Sequence, residues 1–429
     1  MQSIARLGLI NRYAVGLCLG WLLLVSPAAA QYTAPGTVVP TNRIPEKETF
    51  EEAVENAWKN VGGLRLQPWL AITDAALVQL DGVEETDDFT VTVGAGVRAY
   101  LPIGGKSYLV GHTLPEYVWW SDNEDRRRLN GRYGLGYFGY FNRLQVEASW
   151  RQAERQRFFS NEVRVLTTQN VETLRLATSL ELGRRLSLVG RYQQRDSQQE
   201  VDEIQLLSLL DREETTTYLG VQYEAPSNWV LGLGYEDRDN DLSPGGRLLS
   251  NSGYATKVEV EREGNQFSGR MDLAFLSLEG DDGSIFPQID EVVGGAGLLW
   301  TLSRRFEVLN FLRRELFYAL DPDSTHYFSE RAGVRVTAEG RPLDITFIAE
   351  IGEDDYESPF GLVRSDDVLE LGLALAFTFR NNVGFEVSVR QTDYDSPIPE
   401  FDRTITSVGF RVELGEILEI RIGETDTEW

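Results

Sequence analysis

Apolar residues recur at every second position through most of this chain, and no other feature constrains the fold as strongly. The segment 369–379 is a clear case, because its odd-numbered residues are all Leu or Phe while its even-numbered residues are Glu, Gly, Ala and Thr. Such alternation gives a β-strand one apolar face and one polar or small face. The sequence therefore predicts an all-β fold built from half-buried antiparallel strands.

Eighteen segments of this kind follow one another along the chain. They are predicted at 64–80, 89–101, 107–121, 127–141, 143–153, 162–183, 186–196, 213–225, 229–238, 251–263, 266–278, 288–302, 305–320, 324–339, 342–353, 365–379, 383–394 and 403–414. The segment 305–320 changes phase between Val308 and Phe311, which predicts a β-bulge there. The stretch 417–423 also alternates, so the prediction is about 18 strands within a range of 16–20.

The connections between these segments alternate between two kinds. Every second one is short and rich in Gly, Asn or Arg, as at 103–106 and 142–143, and the intervening ones are mostly longer and acidic. Short and long connections then collect at opposite ends of the sheet, as in a transmembrane up-and-down antiparallel β-barrel with short periplasmic turns. A soluble sandwich would mix them through Greek-key crossovers. Closure also removes the two bare edges that an open sheet of this size would carry.

The long connections carry the acidic residues that we predict to form an acidic outer rim. These are Glu84, Glu85, Asp87, Asp88, Asp237, Asp239, Asp241, Asp281, Asp282, Glu353, Asp354 and Asp355. Like charges at one end of a pore raise the local cation concentration and repel anions. An acidic rim serves solubility, or divalent-ion bridges to lipopolysaccharide, equally well, and both interpretations stay open.

Charged residues of both signs occupy the polar face of the predicted strands. The pore-lining candidates are Arg98, Arg132, Glu147, Arg191, Glu236, Lys257, Glu259, Arg270, Asp272, Arg331, Arg335, Glu350, Glu370, Arg390 and Arg411. An Arg or Lys facing lipid at the bilayer midplane costs about 2–4 kcal/mol, so a polar lumen is the more economical place for them.

The N-terminal 62 residues differ from the rest of the chain. Residues 1–30 have Arg6 and Arg12, an apolar run and an A-x-A site, which predict a signal peptide. Residues 31–62 are interpreted as a periplasmic leader, and Thr49 and Glu52 form a capping-box pattern that predicts a helix at 49–61. Packing, plugging and docking to a periplasmic partner are the roles considered for this helix. The barrel is then assigned to 63–429.

Composition excludes several classes of function. With 67 Asp and Glu against 41 Lys and Arg, the chain lacks the basic surface that nucleic-acid binding needs. Its single cysteine, Cys18, lies in the predicted signal, which excludes a disulfide scaffold and a thiolate nucleophile. The two histidines are far apart in sequence, and no metal site or cofactor is predicted. His326 beside Asp323 and Ser324 leaves an outer-membrane rim hydrolase as a minor alternative to a protein without enzymatic activity.

The pattern over 64–429 resembles bacterial outer-membrane β-barrels of the porin type. More narrowly, it is similar to barrels found beside exopolysaccharide-export systems, on the opening sequence GLRLQPWLAITDAALV and the terminal aromatic Trp429. The resemblance implies insertion in the outer membrane and passage of solutes or glycans.

Two main functional hypotheses follow from these observations. The first is a porin-like channel for small hydrophilic solutes that prefers cations, surrounded by outer-membrane lipid and lipopolysaccharide. The second is a barrel component of polysaccharide export or envelope assembly without free diffusion, which requires a periplasmic or polysaccharide-export partner.

Overall fold

The structure, a computed structural model, describes residues 44–80, 86–158, 166–200, 211–243, 249–262, 264–319, 324–340, 342–379, 383–398 and 402–414. The predicted signal and the stretch 417–423 lie outside them. The elements are helix α1 (Lys47–Glu55), a 3-10 turn (Glu124–Arg126) and the strands β1 (Lys59–Val61), β2 (Leu64–Leu80), β3 (Thr86–Ile103), β4 (Ser107–Trp120), β5 (Arg128–Phe141), β6 (Leu144–Phe158), β7 (Leu166–Glu181), β8 (Leu186–Glu200), β9 (Asp211–Ala225), β10 (Trp229–Ser243), β11 (Asn251–Arg262), β12 (Phe267–Gly280), β13 (Ile289–Ser303), β14 (Phe306–Tyr318), β15 (His326–Ala338), β16 (Leu343–Ser358), β17 (Gly361–Phe379), β18 (Val383–Asp395) and β19 (Arg403–Leu414). Within these ranges, no helix is both long and apolar enough to cross a membrane.

The strands β2 to β19 form a closed ring. Each pairs antiparallel with its neighbour in the chain, and β19 pairs back onto β2, for example at Val408 and Leu77. Closure pairs the two strands that would otherwise be sheet edges. The short β1 pairs with the start of β2, Lys59–Val61 with Leu64–Leu66, and is not one of the strands that close the ring. The prediction of an up-and-down antiparallel barrel of about 18 strands is confirmed.

The two faces of the wall differ as the alternation predicts. In β10, Leu231, Leu233 and Tyr235 are 42%, 60% and 50% exposed, whereas Glu236 and Arg238, which have the opposite parity, are buried. Because the sheet closes on itself, the exposed apolar face lies outside and the charged face lies inside. Such an outer face is solvated by lipid, and strands of 12–19 residues exceed the roughly 9–11 needed to span a bilayer.

One predicted outer connection is much shorter than expected. The sequence predicts a long loop at the acidic segment 353–355, but this segment lies in the ladder between β16 and β17, where Asp354 pairs with Asp366. Only Pro359 and Phe360 separate the two strands. The two strands therefore continue as a paired hairpin beyond the part of the wall with an apolar outer face. Backbone pairing does not depend on alternating apolar side chains, so it can extend past the membrane.

The predicted bulge between Val308 and Phe311 is wrong. Both residues pair in regular register with β13 and β15. The change of phase arises because Phe311 faces inward and is buried, while the polar Asn310 faces outward.

The wall is interrupted at another position, Gly294. The ladder between β13 and β14 ends at Gly294 and Arg314, whereas β14 continues with β15 as far as Tyr318 and His326. Gly294 has φ 140°, and a side chain there would clash with the carbonyl oxygen of Asp272. Glycine thus permits the wall to split at this point.

Gly294→Ala is expected to destabilise the barrel by about 1–3 kcal/mol, because alanine must adopt a strained backbone conformation against a fixed carbonyl. The measurement is the urea midpoint of the protein refolded in lipid. Gly384→Ala is the matched control, since a side chain at Gly384, also in a strand, meets nothing within 4 Å. Equal shifts for the two variants would contradict this assignment of strain.

Candidate channel interior

The N-terminal helix is shorter than predicted. It begins after Glu46, which makes no side-chain cap, and it ends at Glu55 instead of residue 61. Residues 59–61 form β1 instead, because the Gly62–Gly63 turn lets them pair back onto β2. Trp58, which lies within the predicted helix, is 64% exposed. The buried apolar residues Phe50 and Ala53 lie within the observed helix.

Helix α1 packs against the inner wall of the barrel. Phe50 is fully buried, with its ring 4.6 Å from the ring of Phe138 and 5.3 Å from that of Tyr108. Both partners lie on the buried face of their strands, next to the short turns. The Tyr140 hydroxyl also donates a 2.5 Å hydrogen bond to the Pro45 carbonyl oxygen. The helix thus occupies part of the bore at the short-turn rim.

The solvent-facing side of α1 is polar. Lys47 and Glu51, one turn apart, form a 2.6 Å ion pair. The hydrogen bond to Glu51 raises the pKa of Lys47 above its usual value. This pair is exposed, so it adds little to the docking of the helix, which depends on the apolar side.

A buried ion cluster lies on the inner face between β8 and β11. Glu236 accepts hydrogen bonds from Arg191 at 2.7 Å and from Lys257 and Arg238 at 2.8 Å. All four side chains are at most 2% exposed. One carboxylate therefore stabilises three cations, and its loss would remove the counter-ion that all three contact.

A second cluster continues the charged inner face across β14 to β16. Arg313 donates to Glu350 at 2.7 Å, and Arg331 lies 3.4 Å from the same carboxylate. Arg331 also donates two 2.7 Å hydrogen bonds to Asp354. Further inner-face pairs are Arg132–Glu116, Arg175–Glu147, Arg270–Asp272, Arg364–Asp366 and Arg390–Glu370. We call the ion pairs of the two clusters, together with these further pairs, the interior ion-pair network.

The structure places the described pore-lining candidates on the inner face, buried or half-buried. These are Arg98, Arg132, Glu147, Arg191, Glu236, Lys257, Glu259, Arg270, Asp272, Arg331, Arg335, Glu350, Glu370 and Arg390. The side chain of Arg411 lies outside the described part.

Several members of the network escaped the sequence prediction. They are Glu116, Arg175, Arg238, Arg313, Asp354, Arg364 and Asp366. Four of them share the parity of a predicted residue on the same strand: Arg238 with Glu236, Asp354 with Glu350, and Arg364 and Asp366 with Glu370. Continuing these alternations by two to six residues toward the long loops would have found these four.

The predicted acidic rim is only partly exposed. Asp237, Asp239, Asp241 and Asp282 are exposed, while Asp281, Glu353 and Asp355 are half-buried. The prediction of Asp88 as an open rim residue is wrong, because Asp88 is 2% exposed and accepts hydrogen bonds from Ser121 at 2.5 Å and Asn123 at 2.6 Å. Asp354 is wrong for the same reason, since it is buried against Arg331. Glu84, Glu85 and the side chain of Asp87 lie outside the described residues.

The His326 side chain is buried inside the protein. It is 2% exposed and lies between the rings of Phe286 and Phe328, at 5.7 and 5.5 Å. Its Nδ1 is 3.0 Å from the Thr325 hydroxyl, and its Nε2 is 3.5 Å from Glu357. Asp323 lies outside the described residues. Among the described residues, no group of three His, Cys, Asp or Glu side chains is placed to hold a metal ion.

A closed antiparallel wall with an apolar outside and a charged inside defines an outer-membrane β-barrel, located in the outer membrane of the cell. Residues 211–415 match the family model described as "Putative beta-barrel porin 2". No curated protein matches the sequence.

Solved structures support the same fold. The chain is similar to a BenF-like porin from Pseudomonas fluorescens Pf-5, with 9% identity, TM-score 0.50 and coverage of 82% of this chain and 99% of that one. It is also similar to OccAB3 from Acinetobacter baumannii, with 11% identity, TM-score 0.50 and coverage of 83% and 100%. A structure titled "Bacterial polysaccharide outer membrane secretin" also matches, with 10% identity, TM-score 0.37 and coverage of 83% and 100%, but at this TM-score it adds no support for the fold. At such identities the likeness concerns the fold alone.

Proposed function

We propose that the protein is a passive channel that admits small hydrophilic solutes across the outer membrane and prefers cations. The observation that carries this proposal is the interior ion-pair network, which lines the inner face with charges of both signs. An inner wall of this kind suits water and polar solutes, and barrels of 16–18 strands are wide enough for an aqueous channel.

The proposal that the solute is small is supported by the helix that narrows the bore. Helix α1 occupies the bore beside β4 and β5 at the short-turn rim. Its apolar side is used within the chain, since Phe50 and Ala53 are 0% and 4% exposed. Because these apolar residues already pack against the barrel wall, they are not available for docking to an export partner. The burial of His326 gives no support to a rim hydrolase.

The cation preference is supported by acidic residues at the long-loop end. Asp237, Asp239 and Asp241 are exposed on the outward-facing side of β10 at its long-loop end, and Asp239 lies within electrostatic range of Glu213 on β9 and of Asp281 just after β12. The interior charges are of both signs and are not acidic overall, so the support for a cation preference comes from this acidic mouth. Such a field raises the local cation concentration within about a Debye length, roughly 8–10 Å in physiological salt.

Recording from the refolded protein in planar bilayers tests the channel itself. Discrete conductance steps are expected, with a reversal potential in a KCl gradient that favours K⁺. If correctly folded protein gives no steps, the channel proposal fails.

Replacing Asp237, Asp239 and Asp241 together with Asn is expected to lower the K⁺ over Cl⁻ permeability ratio by roughly two-fold at low salt, because the mouth loses three negative charges. The reversal potential in a KCl gradient measures this ratio. The matched control replaces Glu181, Glu224 and Glu339, which are exposed beside the short turns, with Gln. A control that shifts the ratio as much would show that the long-loop end does not set selectivity.

A further inference from the structure

The long-loop end of β14 and β15 is buried on both faces. Residues 315–319 and 324–329 are all at most 9% exposed, in unbroken succession. A strand in a single-layered barrel wall alternates between a covered and an open face, as β10 does. A second layer of protein must therefore cover this hairpin end on its outer side.

That second layer is the barrel wall itself. Leu316, Tyr318 and Phe328, whose positions face outward by parity, pack in one cluster with inward-facing residues of the neighbouring strands. These inward-facing residues are Leu242, Ala255, Ala274, Leu276, Leu278, Ile289 and Val293, joined by Phe286 from the loop after β12. Asn251 of β11 donates a 2.8 Å hydrogen bond to the Tyr318 hydroxyl. The hairpin end thus lies inside the wall formed by β10 to β13, folded into the outer mouth.

A side-chain contact bridges the place where the wall splits. Arg314 donates to the Val292 carbonyl oxygen at 2.6 Å and to the Glu291 carboxylate at 2.9 Å, both on β13. On the other side, its Nε is 2.9 Å from Glu330 and its guanidinium lies 4.5 Å from the Phe328 ring. Among the described residues, Arg314 thus links β13 to β15 at the point where ladder pairing between β13 and β14 ends.

We propose that the β14–β15 end is a gate, which closes the outer mouth as seen here and opens by pairing with β13. The ladder that ends at Gly294 and Arg314 would extend in the same register, with Val292 opposite Leu316 and Asp290 opposite Tyr318. In the open form Leu316, Tyr318 and Phe328 would face the membrane interface, where aromatic and aliphatic side chains are favoured. The closed form predominates because opening exposes Leu276, Ile289 and their apolar neighbours to the water-filled mouth. This inference rests on the proposed channel function.

A disulfide across the split tests the movement directly. In a Cys18→Ser background, Val292→Cys with Leu316→Cys brings the two thiols together only in the open register. Oxidation is expected to produce the cross-link and to lock the channel at its higher conductance level, reversed by dithiothreitol. The control is Leu298→Cys with Asn310→Cys, a pair already opposite in the formed ladder, which is expected to cross-link without changing conductance.

Failure to cross-link, in protein whose thiols both react after unfolding, would overturn the gate. So would a cross-link that leaves the current unchanged in a conducting protein. A cross-link in a protein that conducts in no state would support the movement and overturn the channel proposal instead.

Tyr318→Phe gives a second test without cysteine. It removes the hydroxyl that Asn251 binds and is expected to raise the open-to-closed ratio roughly five-fold, the effect of one hydrogen bond. Tyr254→Phe, at an outward-facing tyrosine that is 42% exposed, is expected to leave the ratio unchanged. Equal ratios in the wild type and Tyr318→Phe would contradict the role of this contact in closure.

Discussion

A channel with alanine in place of Phe50 is expected to conduct more current than the wild type. The Phe50 ring is fully buried between Phe138 and Tyr108, and removing a buried phenylalanine ring costs about 3–5 kcal/mol. Helix α1 has only nine residues, too few to remain helical without tertiary contacts. Most of its affinity for the inner wall is therefore lost with this ring, and the bore widens at the short-turn rim.

Two measurements check this expectation. Single-channel conductance is compared between Phe50→Ala and Trp58→Ala, which removes a larger aromatic ring that is 64% exposed and is expected to change nothing. Maleimide labelling of Ala53→Cys, at a position 4% exposed, reports docking independently of current. Fast labelling together with unchanged conductance would show that the helix undocks but does not restrict the bore.

Glu236→Gln is expected to cause the largest loss of stability. Arg191, Arg238 and Lys257 all lie within 2.8 Å of this one buried carboxylate. Removing one partner of a buried ion pair costs about 3–5 kcal/mol, because the remaining charge is left in a low-dielectric site. The urea midpoint of the lipid-refolded protein should fall accordingly.

Glu279→Gln is the matched control, because Glu279 is exposed near the end of β12 and its substitution is expected to have little effect. Adding Lys257→Met to Glu236→Gln should recover part of the loss, since one of the three cations that Glu236 contacts is then removed. A Glu236→Gln midpoint equal to that of the control would mean that water already screens the cluster.

The strands were predictable because lipid acts on each of them locally. An outward residue must be apolar wherever it meets hydrocarbon, so the alternation appears in the sequence without knowledge of the neighbouring strand. The predicted segments 64–80 and 403–414 coincide with the observed strands. Prediction was weaker where strands leave the membrane, as in β10 and β16, which continue to Ser243 and Ser358.

The ion pairs were not predictable in the same way. Periodicity indicates which face a residue occupies, but pairing depends on its height relative to strands that are distant in sequence. Arg191 and Glu236 lie two strands and 45 residues apart, and Arg313 and Glu350 lie 37 residues apart. The folded-in hairpin end did leave a signal, because the run Leu316, Phe317 and Tyr318 is apolar on both faces.

The connection between α1 and the barrel determines how an undocked helix behaves. Only residues 56–58 separate Glu55 from β1, which is itself paired to the wall. Three residues reach about 10 Å at most, so the released segment stays tethered beside its own binding surface. Rebinding is then intramolecular, at an effective concentration in the millimolar range. Undocking of the helix should therefore appear as rapid flicker in the current, independent of protein concentration.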